Sequence, residues 1–226
     1  MKISKIILMI FLILPLITGC GKKAKEIKQA AGKMKDLANK MEEISKDMDG
    51  KEPQNPEEAM EQIGKFLSGG QEIETVDYKE LKAMLPGKLE NLTLINSSAE
   101  KNAVWGIEVS EASSSYQSDS GTSINLSITD LGGMSALTTI AGFAWTVSDY
   151  EKEDVNGYEK TTIYKGYKAI EEFKKDTGYA KLDILVADRF VVAANGYHTG
   201  IEEIKKALNE IDLKKLEGMK NYGIKS

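Results

Sequence analysis

Across 226 residues the chain has one cysteine and one histidine. A lone cysteine, Cys20, closes no internal disulfide and builds no thiolate zinc cluster. A lone histidine, His198, excludes a multi-histidine metal centre, and any histidine-based triad would rest on that one ring. Arginine is as scarce: of the 30 basic residues only Arg189 is one. Bidentate readout of phosphate or guanine is therefore almost absent from the repertoire. The formal net charge of −5 and a pI near 5.2 offer no basic face for a polyanion, so nucleic acid is not an expected partner.

What is present begins at the N-terminus. Lys2 and Lys5 form a short basic region, and Ile6 to Ile17 is an apolar run broken only by Pro15. At ~1.5 Å rise per residue that run falls short of a ~30 Å hydrocarbon core, so it reads as the apolar region of a signal peptide. It ends in Ile17-Thr18-Gly19-Cys20, which resembles the lipobox of bacterial lipoproteins: an aliphatic residue, a small one, glycine, then cysteine. The resemblance covers residues 1–20. It implies cleavage between Gly19 and Cys20, a diacylglyceryl group on the Cys20 sulfur and, usually, acylation (commonly palmitate) of the new amino terminus. Two or more acyl chains, at roughly 0.8 kcal/mol per buried methylene, anchor a protein stably. Gly21 stands where aspartate would favour inner-membrane retention. The expected location is the outer membrane facing the periplasm in a Gram-negative cell, or the outer face of the plasma membrane in a Gram-positive one.

Residues 20–71 read as a lipid-anchored helical spacer. Lys22 to Lys35 is lysine-rich with one acid, Glu26, and the stretch from Asp36 to Gln62 is mainly acidic. The basic part lies nearest the lipid, where anionic headgroups attract it; a solvated helix face accounts for it equally well. Ile27, Ala30, Met34, Leu37, Met41, Ile44 and Met48 step by three and four, a heptad pattern. Three heptads cored by Met and Ala support at most weak self-association through residues 27–48. Asp49-Gly50 and Pro53 end that helix, and a second one is expected from about Pro56 to Leu67.

Residues 72–226 are long enough for one domain with its own core. Asp77 followed by Glu80 predicts a capped helix ending at Pro86-Gly87. The pattern then turns to period two. Strands are expected at Leu89–Ile95, Ala103–Tyr116, around Ile124–Ile128, and at Tyr158–Tyr164, Tyr167–Phe173, Tyr179–Ala187 and Phe190–Ala194. Ser113 to Gly121 reads as a serine-rich turn, and Lys165-Gly166 and Asp188-Arg189 as tight hairpin turns. Met134–Val147 predicts an uncharged helix, buried against the sheet or roofing a cavity lined by Ile140, Phe143 and Trp145. A final helix is expected after Thr199 as cap, with Glu202 three residues on. The expectation is an α+β domain: an antiparallel sheet of about six to seven strands, packed with a mid-chain and a C-terminal helix. With helices on both faces, its element order would be similar to the Mog1/PsbP-type sandwich. No motif of that group is quoted by the residues, so no function is carried over.

Candidate chemistry is thin. No serine sits in a Gly-x-Ser-x-Gly elbow. His198 lies in a strand-to-helix loop. Asp183 and Asp188 are close in sequence but assigned to a strand face and a turn. Glu151, Glu153 and Asp154 lack calcium-loop spacing and read as a solvated loop. Gly132-Gly133 fits neither dinucleotide nor P-loop spacing. Arg189, as the sole arginine, could anchor a partner. Tyrosines 158, 164, 167, 179 and 197 fit strand propensity, or a binding surface if several share an exposed face. No metal and no cofactor is expected. The expected function is non-enzymatic: an envelope lipoprotein whose domain binds a protein partner or scaffolds an assembly. The alternatives are a carrier or sensor of a small apolar ligand, and a hydrolase with an unrecognised site.

Overall fold

The computed structural model describes residues 73–104, 107–132 and 149–224. The signal peptide, Gly19, Cys20, the spacer and the 134–147 segment with Ile140, Phe143 and Trp145 lie outside the described residues.

Asp77 caps the first helix, α1 (Tyr78–Ala83), its carboxylate accepting from the Lys79 amide at 2.7 Å. Eight strands follow: β1 (Thr93–Val104), β2 (Ile107–Gln117), β3 (Ser123–Asp130), β4 (Glu151–Asp154), β5 (Gly157–Tyr164), β6 (Tyr167–Lys174), β7 (Tyr179–Val186) and β8 (Phe190–Tyr197). Two helices close the described chain, α2 (Ile201–Asn209) and α3 (Leu213–Gly218). All strand pairings are antiparallel, in one sheet of order β1-β2-β3-β8-β7-β6-β5-β4. Two meanders thus meet where β3 pairs β8, and the connection from β3 to β4 joins the middle of the sheet to its far edge.

The strand alternation gives the sheet two unlike faces. One carries Tyr116, Ile124, Leu126, Ile128, Leu182, Ile184 and Val192, all buried. This face shares one core with Leu81 and Met84 of the α1 region, Ile204 and Leu208 of α2, and Leu213 and Leu216 of α3. Those helices are six to nine residues long, too short to persist without packing. The second face is polar over the strand centres, although Leu185 and Val191, which pair on it, are buried. One row of register partners across the first four strands in sheet order reads Asn96, Ser115, Asn125, Asn195. The same row continues as Lys181, Glu172, Glu159, Lys152.

The antiparallel sheet with a few helices agrees with the α+β expectation, but among the described residues the strands number eight, not six or seven. The extra one is β4, where Glu151, Glu153 and Asp154 had read as a solvated loop. Every residue of β4 is exposed, so it has no apolar alternation to reveal it. Register decides it instead: Glu151 faces Lys160 and Lys152 faces Glu159, opposite charges across the pair. A charged edge of this kind also discourages further strand addition.

Three other boundaries moved. The strand expected at Leu89–Ile95 is met only at Thr93–Ile95; Leu89 and Leu92 form an isolated bridge, and β1 runs Thr93–Val104. Of the two overlapping expectations for Ser113–Tyr116, the strand holds: β2 runs to Gln117, because β1 and β3 pair it on both sides despite its serines, and the turn begins after it. Gly200 caps α2 in place of Thr199, and Glu203, not Glu202, reaches back to accept from the Gly200 amide at 3.2 Å. The last helix also breaks: the carboxylate of Asp212 takes the Lys215 amide at 2.9 Å and starts α3 afresh.

Candidate functional site

Three polar constellations stand out, two on the helix side and one on the open face. The first is the buried pair of Arg189 and Asp130, on neighbouring strand ends. Ala187 and Asp188 both hold φ near +54°, which turns the chain so that the following side chain points inward. Arg189 is accordingly 4% exposed. It closes the three-residue turn Ala187–Arg189, its amide donating to the Val186 carbonyl at 3.2 Å, but its side chain turns inward and presents no guanidinium to an outside partner. Its Nε and Nη2 donate to Asp130 Oδ1 and Oδ2 at 2.7 and 2.8 Å. Its Nη1 donates to the carbonyls of Lys220 and Tyr222 at 3.2 and 2.6 Å, and Nη2 also reaches the Glu74 carbonyl at 3.1 Å. All five N–H groups are therefore engaged. Asp130 in turn accepts from the amides of Val76 and Gly132, both at 2.8 Å.

This clamp ties both ends of the described domain to the sheet. The Glu74 amide donates to the Gly223 carbonyl at 3.1 Å, and Ile73 bridges Ile224. Gly223 holds φ +69°, and a Cβ there would run into the Glu74 carbonyl, so glycine alone lets the two segments meet. Beside the clamp Thr75 and Ser110, both buried, share a hydroxyl contact at 2.8 Å.

The second constellation centres on Glu171, also 4% exposed. Tyr158 donates its hydroxyl to Oε1 at 2.6 Å, Lys205 approaches Oε2 at 3.3 Å and Lys160 lies at 3.9 Å. Burial pushes the Tyr158 hydroxyl well above its ordinary range, and the bond to the Glu171 carboxylate adds to it. That hydroxyl is a fixed donor, not a proton source. Tyr164 and Tyr167 act similarly: one donates to Asn209 Oδ1 and the Lys205 carbonyl, the other to Glu217. Tyrosines 158, 164 and 167 are thus ties between the sheet and α2 or α3, or within the sheet, and do not share an exposed face.

The third is the open face. Tyr179 and Tyr197 pack there with ring centroids 5.1 Å apart, Tyr197 being 48% exposed. Asn125 donates to Asn195 at 3.3 Å, and the Ser98 and Ser113 hydroxyls meet at 2.9 Å. Glu100 and Glu111 face each other, and burial followed by the Glu100 charge raises the Glu111 carboxyl. Asp183 lies on the same face, 7% exposed. Lys181 holds its Oδ2 at 2.7 Å, whereas its Oδ1 has no hydrogen-bond partner.

Burial raises the Asp183 carboxyl despite the opposing pull of Lys181. A carboxyl raised in the fold favours the folded state below its unfolded value, near 4, and loses that advantage as pH rises through its folded value. Wild type should therefore lose stability relative to Asp183→Asn as pH climbs from about 4 to 7. Urea midpoints measured across that range test this, and parallel curves for the two proteins would sink it.

Sequence-singled residues scatter accordingly. His198 is exposed at φ +50°, its Nδ1 3.3 Å from the Gly121 carbonyl, at the opposite end of β8 from Arg189. Asp188 is exposed in the turn, away from the buried face position of Asp183. Asp130, Glu171, Asn125 and Asn195 were not singled out, and no local spacing marks them; register alone assembles them. A depression of about 350 Å3 between the β5–β6 turn and the α2–α3 link is lined by Lys165, Glu210, Asp212 and Lys214 along with Tyr167, Asn209, Ile211 and Leu213. Its charged lining does not suit a small apolar ligand. Among the described residues, no group of three or more His, Cys, Asp or Glu is placed to hold a metal ion.

No family model and no curated protein matches the chain. Among solved structures it is similar to a GTP binding regulator from Thermotoga maritima, at 10% identity and a TM-score of 0.30, covering 60% of this chain and 87% of that one. A likeness that distant carries neither architecture nor activity across.

Proposed function

We propose that the chain is a bacterial envelope lipoprotein, held to its membrane by lipid on Cys20, whose α+β domain binds a partner or scaffolds an assembly without catalysing a reaction. The observation that carries the anchor is Ile17-Thr18-Gly19-Cys20, placed directly after a short apolar run and containing the sole cysteine. Residues 20–71 act as the spacer that lets the domain stand off the lipid, with the lysine-rich stretch nearest the headgroups. Support for a binding role comes from the contrast between the two faces of the sheet. The helix side uses its arginine and tyrosine hydroxyls to hold the domain together, and the other side offers half-buried and exposed polar groups with an exposed tyrosine.

The anchor is tested by Cys20→Ala. The variant should keep its signal peptide and lose the electrophoretic shift caused by acylation. Unchanged mobility and unchanged detergent partitioning would remove the lipoprotein reading. Crosslinking in cells with the full chain, followed by identification of the captured proteins, tests the partner.

A further inference from the structure

The open face of the sheet is poor in the residues that strands favour. Across β1, β2, β3 and β8 one register row is Asn96, Ser115, Asn125 and Asn195, and the next begins Ser98, Ser113, Ser127. Serine and asparagine fit a pleated surface worse than β-branched or aromatic residues. They bring no core packing in return, since all seven are half-buried or exposed. A local choice that works against its own element is a mark of function. The chemistry of these rows is specific. Every group is uncharged, and every group both donates and accepts hydrogen bonds. Neighbouring strands set them about 4.8 Å apart, close to one sugar unit of an extended glycan. At one end of the rows Tyr197 is half exposed and leans on Tyr179 at 5.1 Å, offering a ring for the apolar face of a pyranose.

We infer that this face is a docking surface for an extended, uncharged glycan strand laid across β1, β2, β3 and β8, with hydroxyls paired to the serine and asparagine rows and one sugar stacked on Tyr197. The absence of charge from the two rows on these strands, Ala193 completing the second, matches an uncharged polymer better than a charged peptide, headgroup or nucleic acid. The inference rests on the reading of the domain as a non-enzymatic binder and names its ligand class.

Titration calorimetry of the full chain in detergent with chitohexaose and with cellohexaose tests it. At least one of the two should bind, with an affinity that changes little between low and high salt. Tyr197→Ala, at an exposed position, and the double variant Asn125→Ala/Asn195→Ala should each weaken that binding by about tenfold or more while thermal unfolding stays in place. Binding of neither glycan, a steep loss with salt, or unchanged affinity in both variants overturns the proposal. So does a concentration-dependent dimer that Tyr197→Ala abolishes without any glycan binding, since the face would then serve a second copy. Chromatography of the glycan after incubation separates the two readings: a bound but cleaved strand leaves the docking face standing and removes the non-enzymatic role. A protein captured in cells with neither glycan bound does the reverse.

Discussion

Arg189→Ala should lower the stability of the domain by about 3–5 kcal/mol, the range found when one partner of a buried ion pair is removed. The reason lies in what is left behind. Asp130 is fully buried, and without the guanidinium it keeps only the amides of Val76 and Gly132. The carbonyls of Glu74, Lys220 and Tyr222 lose their shared donor at the same time. For a domain of this size the thermal midpoint should fall by roughly ten degrees or more. Arg189→Lys should recover little, because an ammonium offers three donors on one atom and cannot span five positions. A joint replacement, Arg189→Met with Asp130→Leu, should cost much less than either single change, since no buried charge is then unpaired. Chemical unfolding of the wild type and these variants checks this; single and joint variants of equal stability would remove the clamp from the account.

The second large effect is expected at Leu208. This side chain is fully buried on α2, packed in the same core as Leu182 and Ile184 of β7. Leu208→Ala should cost about 2–5 kcal/mol through lost transfer energy and the cavity left behind. A nine-residue helix has little stability of its own, so the loss should also be visible locally. Amide exchange in Ile201–Asn209 should accelerate more than in β7, and uniform acceleration across both elements would contradict that order. Leu208 acts through apolar packing and Arg189 through hydrogen bonds to Asp130 and chain-end carbonyls, so the two losses should add when combined.

Much of this architecture is legible in the sequence. Period-two alternation placed β3, β6, β7 and β8 close to their positions, because each buries side chains toward the core and a one-residue slip would expose them; β5, of which only Gly157 is buried, was marked by the Lys165-Gly166 turn that follows it. Asp77 marked the start of α1 correctly, since a cap is a local hydrogen bond between near neighbours. The misses share one cause. β4 has no buried face, and Ser113–Gln117 has weak strand propensity, which left it between strand and turn in the sequence; both are strands because of the chains beside them. Thr199 lost the cap to Gly200 because the turn at His198 sets where the first helical amide falls.

The candidate site divides the same way. Scarcity of cysteine, histidine and arginine already narrowed the chemistry, and the residues Ile17 to Cys20 alone carry the expectation of a lipid anchor, since a processing motif is read along the chain. Nothing along the chain could announce the rest. Asp130 and Arg189 lie 59 positions apart, and Asn125 and Asn195 lie 70 apart, in segments with no shared pattern. Whether an arginine in a hairpin faces water or a buried carboxylate depends on a turn with positive φ and on which strand lies next door. Local hydrogen bonds and hydrophobic period are properties of neighbours in sequence, and they determined the elements. The pairing of β3 with β8 is a property of neighbours in space, and it decided that the sole arginine holds the fold while Asn125 and Asn195 meet on the opposite face.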